Sequence, residues 1–561
     1  MSVLTTEIRS GAYADSVVLM QLQSDLQRLD GVIDAGVVMA TEVNLELLRS
    51  SHLLDREAES ASPNDLVITV RAESSEQATA ALAKVETLLG SKRSDTSQSF
   101  RPHSLGTALE MVPQGSWTSI STPGRYAGAI ALQALDHHCP VFLYSDNVPI
   151  EEELELKHKA RELGGLIMGP DCGSAMIAGV GFGFVNQLRQ GPIGLVCASG
   201  TGLQAISSQI HRLGSGVSHA IGTGGRDMTD EIGGLTTRAG LDLLARDSAT
   251  RALVLASKPP GMEVTAEILN AALEIEKPVV VYFSGFPAPA PRVANVHFAR
   301  SLTEAAEIAV GLMERGSGSV SSITGDLAAR PSRYFRGLFS GGTMALETLQ
   351  GIGPFLSPVY SNLGASDARP LSDPTQSQGH TVLDLGADEY TVGRLHPMMD
   401  SHLRNERLFK EAADPDTGLI MLDVILGRGS HPNPGEDLAP VLSEIRAQKG
   451  PRCMALVVGT DEDSQDREAT VGQLEKAGAT VASSLAEALP DIVRYCGKVP
   501  EPVTPTPPIE LLATPQHVVN VGLEIFYDEL IDQEVATVQV NWRPPAGGNP
   551  RLMSILERMK S

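Results

Sequence analysis

The stretch Gly194-Leu195-Val196-Cys197-Ala198-Ser199-Gly200-Thr201-Gly202 decides the class of fold. An apolar run ends in small residues, and apolar residues then recur at helical spacing. This order predicts a strand, a tight turn and a helix. Such a turn gathers unpaired backbone N–H groups at the positive end of the helix dipole. Ser199, Gly200 and Thr201 are therefore predicted to bind an anion.

A second stretch of the same design is Gly337-Leu338-Phe339-Ser340-Gly341-Gly342-Thr343, again followed by apolar residues at helical spacing. Two such turns in one chain suggest two related modules that face a shared anionic ligand. The predicted anion-binding residues of the second turn are Ser340, Gly341, Gly342 and Thr343. The alternative is that both are ordinary glycine-rich turns of an α/β protein.

The length and composition limit the classes of function. A chain of 561 residues is too long for one core, so we expect three or four domains. The net charge of −24 argues against nucleic acid and membranes as partners, but leaves small anionic substrates open. No apolar run has transmembrane length and no signal peptide is apparent, so the sequence predicts a cytoplasmic protein. Five scattered cysteines without a Cys-x-x-Cys pair predict neither disulfides nor a metal site.

The order of predicted strands and helices indicates a multidomain α/β protein. Residues 1–92 are predicted to form a ferredoxin-like α+β sandwich, and residues 100–190 a doubly wound domain. The same alternation recurs over residues 191–316 and 333–498. Residues 512–561 are too few for a core of their own, and we predict that they dock on a neighbouring domain or a partner.

Charged residues at predicted strand ends are the candidates for chemistry. Arg226 and Asp227 follow a glycine-rich turn, where an arginine can hold a carboxylate or phosphate in two parallel hydrogen bonds. The alternative is an Arg–Asp pair that fixes the loop. Arg394 and His396 are the cationic candidates of the second half, with His396 as a general acid or base or as a structural histidine. Arg428 occupies a strand-terminal loop, where contact with a ligand is plausible.

For three further groups of residues, the sequence favours a structural or solvated role over a functional one. Lys258 follows a strand, where it could contact a phosphate. A lysine in such a loop is more commonly solvated. The acidic residues near Asp384 suit helix capping better than Mg²⁺. Cys172 and Cys197 lie beside the turns without a histidine partner in sequence, which indicates packing rather than nucleophilic catalysis.

Several motifs resemble a known family. Gly169-Pro170-Asp171-Cys172, Ser199-Gly200-Thr201 and Gly222-Thr223-Gly224-Gly225-Arg226-Asp227 are similar to motifs of the succinyl-CoA synthetase α subunit, and residues 337–498 resemble the carboxy-terminal domain of its β subunit. The order of motifs in one chain most resembles the FdrA family of acyl-CoA-synthetase-like proteins. The resemblance implies a truncated Rossmann-like domain of the CoA-binding type, followed by two flavodoxin-like domains of the succinyl-CoA-synthetase type.

The chain departs from succinyl-CoA synthetase where that enzyme relays a phosphoryl group. The region that corresponds to its phosphorylated histidine holds His297 in an apolar, strand-like setting, so the relay role is not carried over. The glycine-rich loop that opens the CoA-binding domain is missing, and no ATP-grasp domain is recognised before residue 337.

The resemblance to the FdrA family implies a carbamoyl transfer in purine (allantoin) breakdown. In this reaction oxalurate and phosphate are converted to oxamate and carbamoyl phosphate. The resemblance also implies partner subunits in a hetero- or homo-oligomer. Inorganic phosphate or carbamoyl phosphate would be a substrate, with no certain cofactor. Arg226 or Arg394 would hold the substrate carboxylate, and His396 would protonate the leaving nitrogen. The remaining substrate-binding candidates are Gly224, Gly225, Asp227, Asn147 and Arg428.

Two other functions stay open. The first is an ADP-forming acyl-CoA ligase subunit, which would bind CoA. The second is a non-catalytic subunit that organises an assembly. A stable phosphohistidine would favour the first, and the absence of any turnover would favour the second.

Overall fold

The structure is a computed structural model that describes residues 2–9, 16–62, 65–90, 101–314, 333–364, 368–391, 395–427, 430–460, 463–498 and 500–545. The chain divides into two compact units. The first unit joins Met1–Cys139 to Gln516–Ser561, and the second is Pro140–Pro515.

The first unit begins with an antiparallel sheet of three described strands in the order β1-β3-β2. Its elements are β1 (Val3–Arg9), α1 (Ser16–Gln27), β2 (Val32–Met39), α2 (Glu42–Ser50), β3 (Leu66–Ala72), α3 (Ser75–Ala83) and α4 (Val85–Gly90). Leu22 and Leu26 of α1 pack with Ile68 and Val70 of the central strand in one buried cluster. The helices thus pack on the sheet as an α+β arrangement with one buried core.

The rest of the first unit combines chain segments that are far apart in sequence. It contains α5 (Leu105–Leu109), β4 (Trp117–Ile120), α6 (Gly124–Asp136), β22 (His517–Val521), α18 (Glu524–Asp532) and β23 (Ala536–Val540). β22 pairs in parallel with both β4 and β23. Asn520 of β22 is buried, and its amide donates to the carbonyl of Leu523 and to Oε1 of Gln539. The C-terminal strands are thus buried by pairing with a strand placed about 400 residues earlier.

The second unit holds a short parallel pair and a large mixed sheet. The pair is β5 (Val141–Leu143) and β6 (Ile167–Met168), joined by α7 (Ile150–Glu162). The large sheet has the order β13-β14-β12-β11-β9-β10-β7-β8. Its elements are β7 (Ser174–Ile177), β8 (Val180–Gly183), β9 (Gln190–Cys197), α8 (Gly200–Arg212), β10 (Val217–Gly222), α9 (Leu235–Arg246), β11 (Ala252–Ser257), α10 (Met262–Leu273), β12 (Val279–Phe283), β13 (Arg292–Val293), β14 (Val296–Phe298) and α11 (Leu302–Glu314).

The centre of this sheet is parallel, and this brings several strand ends to one edge. Leu195 of β9 lies between Val254 of β11 and Ala220 of β10, all in parallel register. From Ile193 onward β9 is buried, and β10 and β11 are buried over their whole length, as is typical of central parallel strands covered by helices. The turns after β9, β10 and β11 therefore meet at the carboxyl edge, where open α/β sheets bind ligands.

The second unit contains another parallel sheet, of order β17-β16-β18-β15-β19-β20-β21. Its elements are β15 (Tyr334–Phe339), α12 (Gly342–Leu356), β16 (Val359–Ser361), β17 (Arg369–Pro370), β18 (His380–Asp384), α13 (Asp388–Thr391), α14 (His402–Ala413), β19 (Thr417–Ile425), α15 (Pro434–Ala447), β20 (Arg452–Val458), α16 (Arg467–Ala477), β21 (Thr480–Ala482) and α17 (Leu485–Cys496). The predicted mixed α/β fold with parallel sheets is confirmed. No helix in the described ranges is both long enough and apolar enough to cross a membrane.

Candidate functional site

The candidate site is a cleft of about 240 Å³ at the carboxyl edge of the large sheet. Five of the predicted site residues line it: Ser199, Gly200, Thr201, Gly224 and Gly225. They come from the turns after β9 and β10, which the parallel register places side by side. The sequence pattern therefore located two of the walls of this cleft.

The first wall is the N-terminus of α8. Ser199 is the N-cap residue, and its hydroxyl accepts a hydrogen bond of 3.1 Å from the N–H of Gly202. The N–H groups of Gly200 and Thr201 precede the first intrahelical hydrogen bond, so the helix gives them no acceptor. Both residues line the cleft. This end of the cleft thus combines backbone donors with the positive end of a helix dipole.

The second wall is made by two loops that approach each other closely. Gly224 has φ +90°, and a Cβ at this position would lie 2.2 Å from the carbonyl oxygen of Pro170. A Cβ on Gly222 would lie 2.4 Å from the sulfur of Cys172. Only glycine permits this contact, because any side chain would push the two loops apart. The glycines after β10 are therefore required by packing against the 169–173 loop, whatever they bind.

Two opposite charges flank the same point of the cleft. An ideal Cβ on Gly225 would lie 2.5 Å from Oδ2 of Asp171 and 3.3 Å from Nζ of Lys258. Burial raises the pKa of Asp171 above its ordinary value. The charge of Lys258 opposes this rise, and the charge of Asp146 adds to it. Both side chains are among the residues that line the cleft. The site therefore offers a cation and a carboxylate beside the helix N-terminus.

These charged residues are ones that the sequence argument missed or set aside. Lys258 is an exposed lysine on the loop after β11, as the sequence predicts, and it also lines the cleft. Asp171, which enters the sequence analysis only as part of a motif, is exposed as well. Ser174 and Gln204 also line the cleft and were not singled out. The signal in the sequence is that Asp171 lies on the turn that follows a short strand, three residues after its end.

Both cysteines of the cleft are unreactive in this setting. Cys172 and Cys197 line it but are buried, and burial raises the pKa of each thiol to about 12. The thiolate, which is the nucleophilic form, is therefore scarce near neutral pH. This agrees with the expectation that these cysteines serve packing.

Arg226 and Asp227 are used in contacts within the chain. The carboxylate of Asp227 accepts hydrogen bonds of 2.8 and 2.6 Å from the N–H and hydroxyl of Thr237 and pairs with Nζ of Lys157 at 2.5 Å. Arg226 pairs with Glu153 at 2.8 Å. Contrary to the expectation of substrate binding, Asp227 is fully buried and holds the N-terminus of α9. The alternative of an Arg–Asp pair also fails, because each residue pairs with a different side chain of α7.

The second predicted anion turn does not line this cleft. The N–H of Ser340 donates to Oδ1 of Asp423 at 2.8 Å, and its hydroxyl lies 2.9 Å from both oxygens of that carboxylate. Asp423 is buried and also pairs with Arg404 at 3.3 Å. The expectation that Ser340 binds an anion is thus corrected, since a carboxylate of the chain already occupies its donors. Gly341, Gly342 and Thr343 begin α12 but are not part of the cleft.

His396 lies in the second sheet's module. Its Nδ1 accepts from the N–H of Met398 at 3.3 Å, and its Nε2 would lie 2.7 Å from a Cβ on Gly386. Burial raises the pKa of Asp384, and the charge of nearby His396 lowers it. His396 does not line the cleft around Ser199. Asn147 is exposed after β5, with φ +54°, and Arg394 and Arg428 lie outside the described residues.

Parallel sheets with strand ends that meet at one edge place the chain among the α/β proteins, and the comparisons with known proteins give its family. The family described as "CoA-ligase" matches residues 338–492, and the family "AllF, heavy metal-associated domain" matches residues 1–103. The chain is 39% identical over 491 residues to protein YahF of Escherichia coli K12, a match that covers 85% of this chain and 95% of YahF. The chain therefore belongs to the same family as YahF.

More distant relatives are subunits of CoA ligases. The chain is 31% identical over 176 residues to the ADP-forming succinate–CoA ligase subunit alpha 2 of Archaeoglobus fulgidus, covering 30% of this chain and 59% of that subunit. The predicted likeness to succinyl-CoA synthetase is confirmed, although the chain spans less than two thirds of this relative. The solved structure of PH0766 from Pyrococcus horikoshii is 15% identical with a TM-score of 0.29, over 69% of this chain and 85% of that one.

The residues of the N-terminal domain do not fit a heavy metal. The first cysteine of the chain is Cys139, so residues 1–103 contain no thiol. Among the described residues, no group of three histidine, cysteine or acidic side chains is placed to hold a metal ion. Soft heavy metals bind chiefly through thiolate and thioether ligands. Residues 1–103 therefore lack the thiolate ligands that such a metal prefers.

Proposed function

We propose that this chain is a subunit of a carbamoyl-transferring enzyme built on a CoA-ligase-like scaffold. In the proposed reaction an oxygen of inorganic phosphate attacks the carbamoyl carbon of oxalurate. The bond from that carbon to the oxamate nitrogen breaks, the nitrogen takes a proton, and oxamate and carbamoyl phosphate leave. The reaction needs a pocket for small anions and consumes neither ATP nor CoA.

The observation that carries the proposal is the composition of the cleft. The N-terminus of α8 and Lys258 supply donors and positive charge for a phosphate or for the oxyanion formed during attack. The cleft, with a volume of about 240 Å³, has room for small anions. Holding phosphate and a carbamoyl group together in this space would supply much of the rate enhancement by proximity.

The position of His297 supports a reaction without a phosphoryl relay. His297 lies inside β14, where its backbone neighbours are Val280 of β12 and Arg292 of β13. A histidine that carries a phosphoryl group between two sites needs a loop that can move. A residue inside a paired strand cannot make such an excursion without breaking the sheet.

An ADP-forming acyl-CoA ligase subunit is the second candidate. It is favoured by the match of residues 338–492 to the CoA-ligase family and by the succinate–CoA ligase relatives. In that case CoA would be a substrate, and a partner subunit would supply the nucleotide site. Several relatives are named as subunits, which supports a multi-subunit enzyme in either case.

The deciding experiment incubates the full chain, with and without co-purifying proteins, with oxamate and carbamoyl phosphate, and measures oxalurate. Carbamoyl transfer predicts oxalurate formation that falls roughly tenfold to a hundredfold in Lys258→Met, the range for losing a charged hydrogen bond. Lys476→Met, which changes an exposed lysine of α16, is the matched control. A stable phosphohistidine formed from labelled ATP would favour the ligase. A complete lack of turnover with all candidate partners would favour a non-catalytic subunit.

A further inference from the structure

A carboxylate is an unexpected side chain in the wall of a cleft that is proposed to bind anions. Asp171 lines the cleft together with the donors of α8 and Lys258. A carboxylate repels a purely anionic ligand, and this lowers the affinity of the site for phosphate or a dicarboxylate. It favours a ligand that presents an N–H group on the side of Asp171 and negative charge on the side of the donors.

The backbone fixes the position of Asp171. Its N–H donates to the carbonyl oxygen of Ser145 at 2.9 Å, and its φ of +56° is unusual for a residue other than glycine. The close contact between Gly224 and the carbonyl of Pro170 holds the same loop from the other side. The loop that carries Asp171 is therefore held by contacts on both sides.

We propose that Asp171 selects substrates that carry an amide N–H beside an anionic group. Its carboxylate accepts a hydrogen bond from the amide nitrogen, while the N-terminus of α8 and Lys258 bind the carboxylate or phosphate of the same substrate. This assignment rests on the proposed function, because it takes the cleft as the substrate site. It defines the substrate class as small anionic amides and ureides.

Oxamate and oxalate are the matched probes for this proposal. They have nearly the same size and shape, but oxamate carries an amide where oxalate carries a second carboxylate. An acceptor-only carboxylate at Asp171 hydrogen-bonds the amide and repels the second carboxylate. The preference for oxamate should therefore depend on the charge of a single residue.

The experiment measures binding of oxamate, oxalate and inorganic phosphate to the full chain with its co-purifying subunits by titration calorimetry. We expect wild-type protein to bind oxamate at least tenfold more tightly than oxalate. Asp171→Asn should lose that preference while it binds phosphate at least as well as wild type. Asp146→Asn removes a neighbouring charge without touching the acceptor, so this control should keep the preference.

Three results overturn the proposal: equal binding of the two probes by wild type, no binding of either, or an unchanged preference in Asp171→Asn. Retained phosphate binding and an unchanged melting temperature show that this variant is folded. The wild-type comparison tests the proposal even where the variant is not folded. A clear preference without any oxalurate formation would remove the carbamoyl-transfer reaction and leave the selection by Asp171 standing.

Discussion

The buried lysine of α7 gives the sharpest test of how the cleft is held together. Lys157 and Asp227 both have side chains with 0% exposure, and Nζ of Lys157 lies 2.5 Å from the carboxylate of Asp227. The same ammonium lies 3.1 Å from Glu153 and donates to the carbonyl of Thr223 at 3.1 Å. Thr223 directly precedes the glycines that wall the cleft. Replacing Lys157 by Met should therefore loosen this loop and leave a buried carboxylate without its cation.

The expected cost of Lys157→Met is about 3 kcal/mol, the lower end of the range for breaking a buried ion pair from one side. The lower end applies because Asp227 keeps hydrogen bonds from Thr236 and Thr237, and Glu153 keeps Arg226. A double variant with Asp227→Asn should recover part of the loss, because the uncompensated charge is then absent.

The assay is amide hydrogen exchange of peptides from α7 and α9, with urea unfolding followed by circular dichroism. Fluorescence is unsuitable, since both tryptophans, Trp117 and Trp542, belong to the other unit. Lys159→Met, two residues away on α7, is the control and should change stability by less than about 1 kcal/mol. A loss below that value for Lys157→Met, or strictly additive effects in the double variant, would refute the reasoning.

The remaining predictions concern a histidine, a glycine and the thiols. Burial lowers the pKa of His380 from 6.5 to about 4, so between these values only the unfolded chain takes up the proton and stability must fall as pH falls. Hydrogen exchange of β18 should show that the free energy of unfolding falls by about 2–3 kcal/mol between these two pH values. This loss should be absent in His380→Asn. It should remain in the control His402→Asn, because His402 is exposed. Gly224→Ala should abolish phosphate binding, because its Cβ would lie 2.2 Å from a backbone oxygen, whereas Gly472→Ala, with open space around it, should bind normally in the same titration. All five cysteines are buried, so a thiol reagent at pH 8 should label none of them rapidly in the native protein. In denaturant it should label all five. Fast labelling of the native protein would show that the cysteines are accessible.

Local sequence was a reliable guide to the strand–turn–helix units. The run from Gly194 to Gly202 forms the end of β9 and the start of α8, and the second run forms β15 and α12 in the same way. These units depend on apolar spacing and on turn residues that are neighbours in the chain. The likeness to succinyl-CoA synthetase could also be predicted from the sequence, because each of its motifs lies within a single loop.

The tertiary structure decided which of the two similar turns lines the cleft. At the second turn, Asp423 of the neighbouring strand β19 accepts hydrogen bonds from the N–H and the hydroxyl of Ser340. The turn at Ser199 instead meets Lys258 and Asp171 at the edge of a different sheet. Sequence alone cannot separate these outcomes, because hydrogen bonding and charge depend on distances between strands that are adjacent in space and remote along the chain. The chain order thus determined which backbone donors exist, and the strand order determined which of them lie at the cleft.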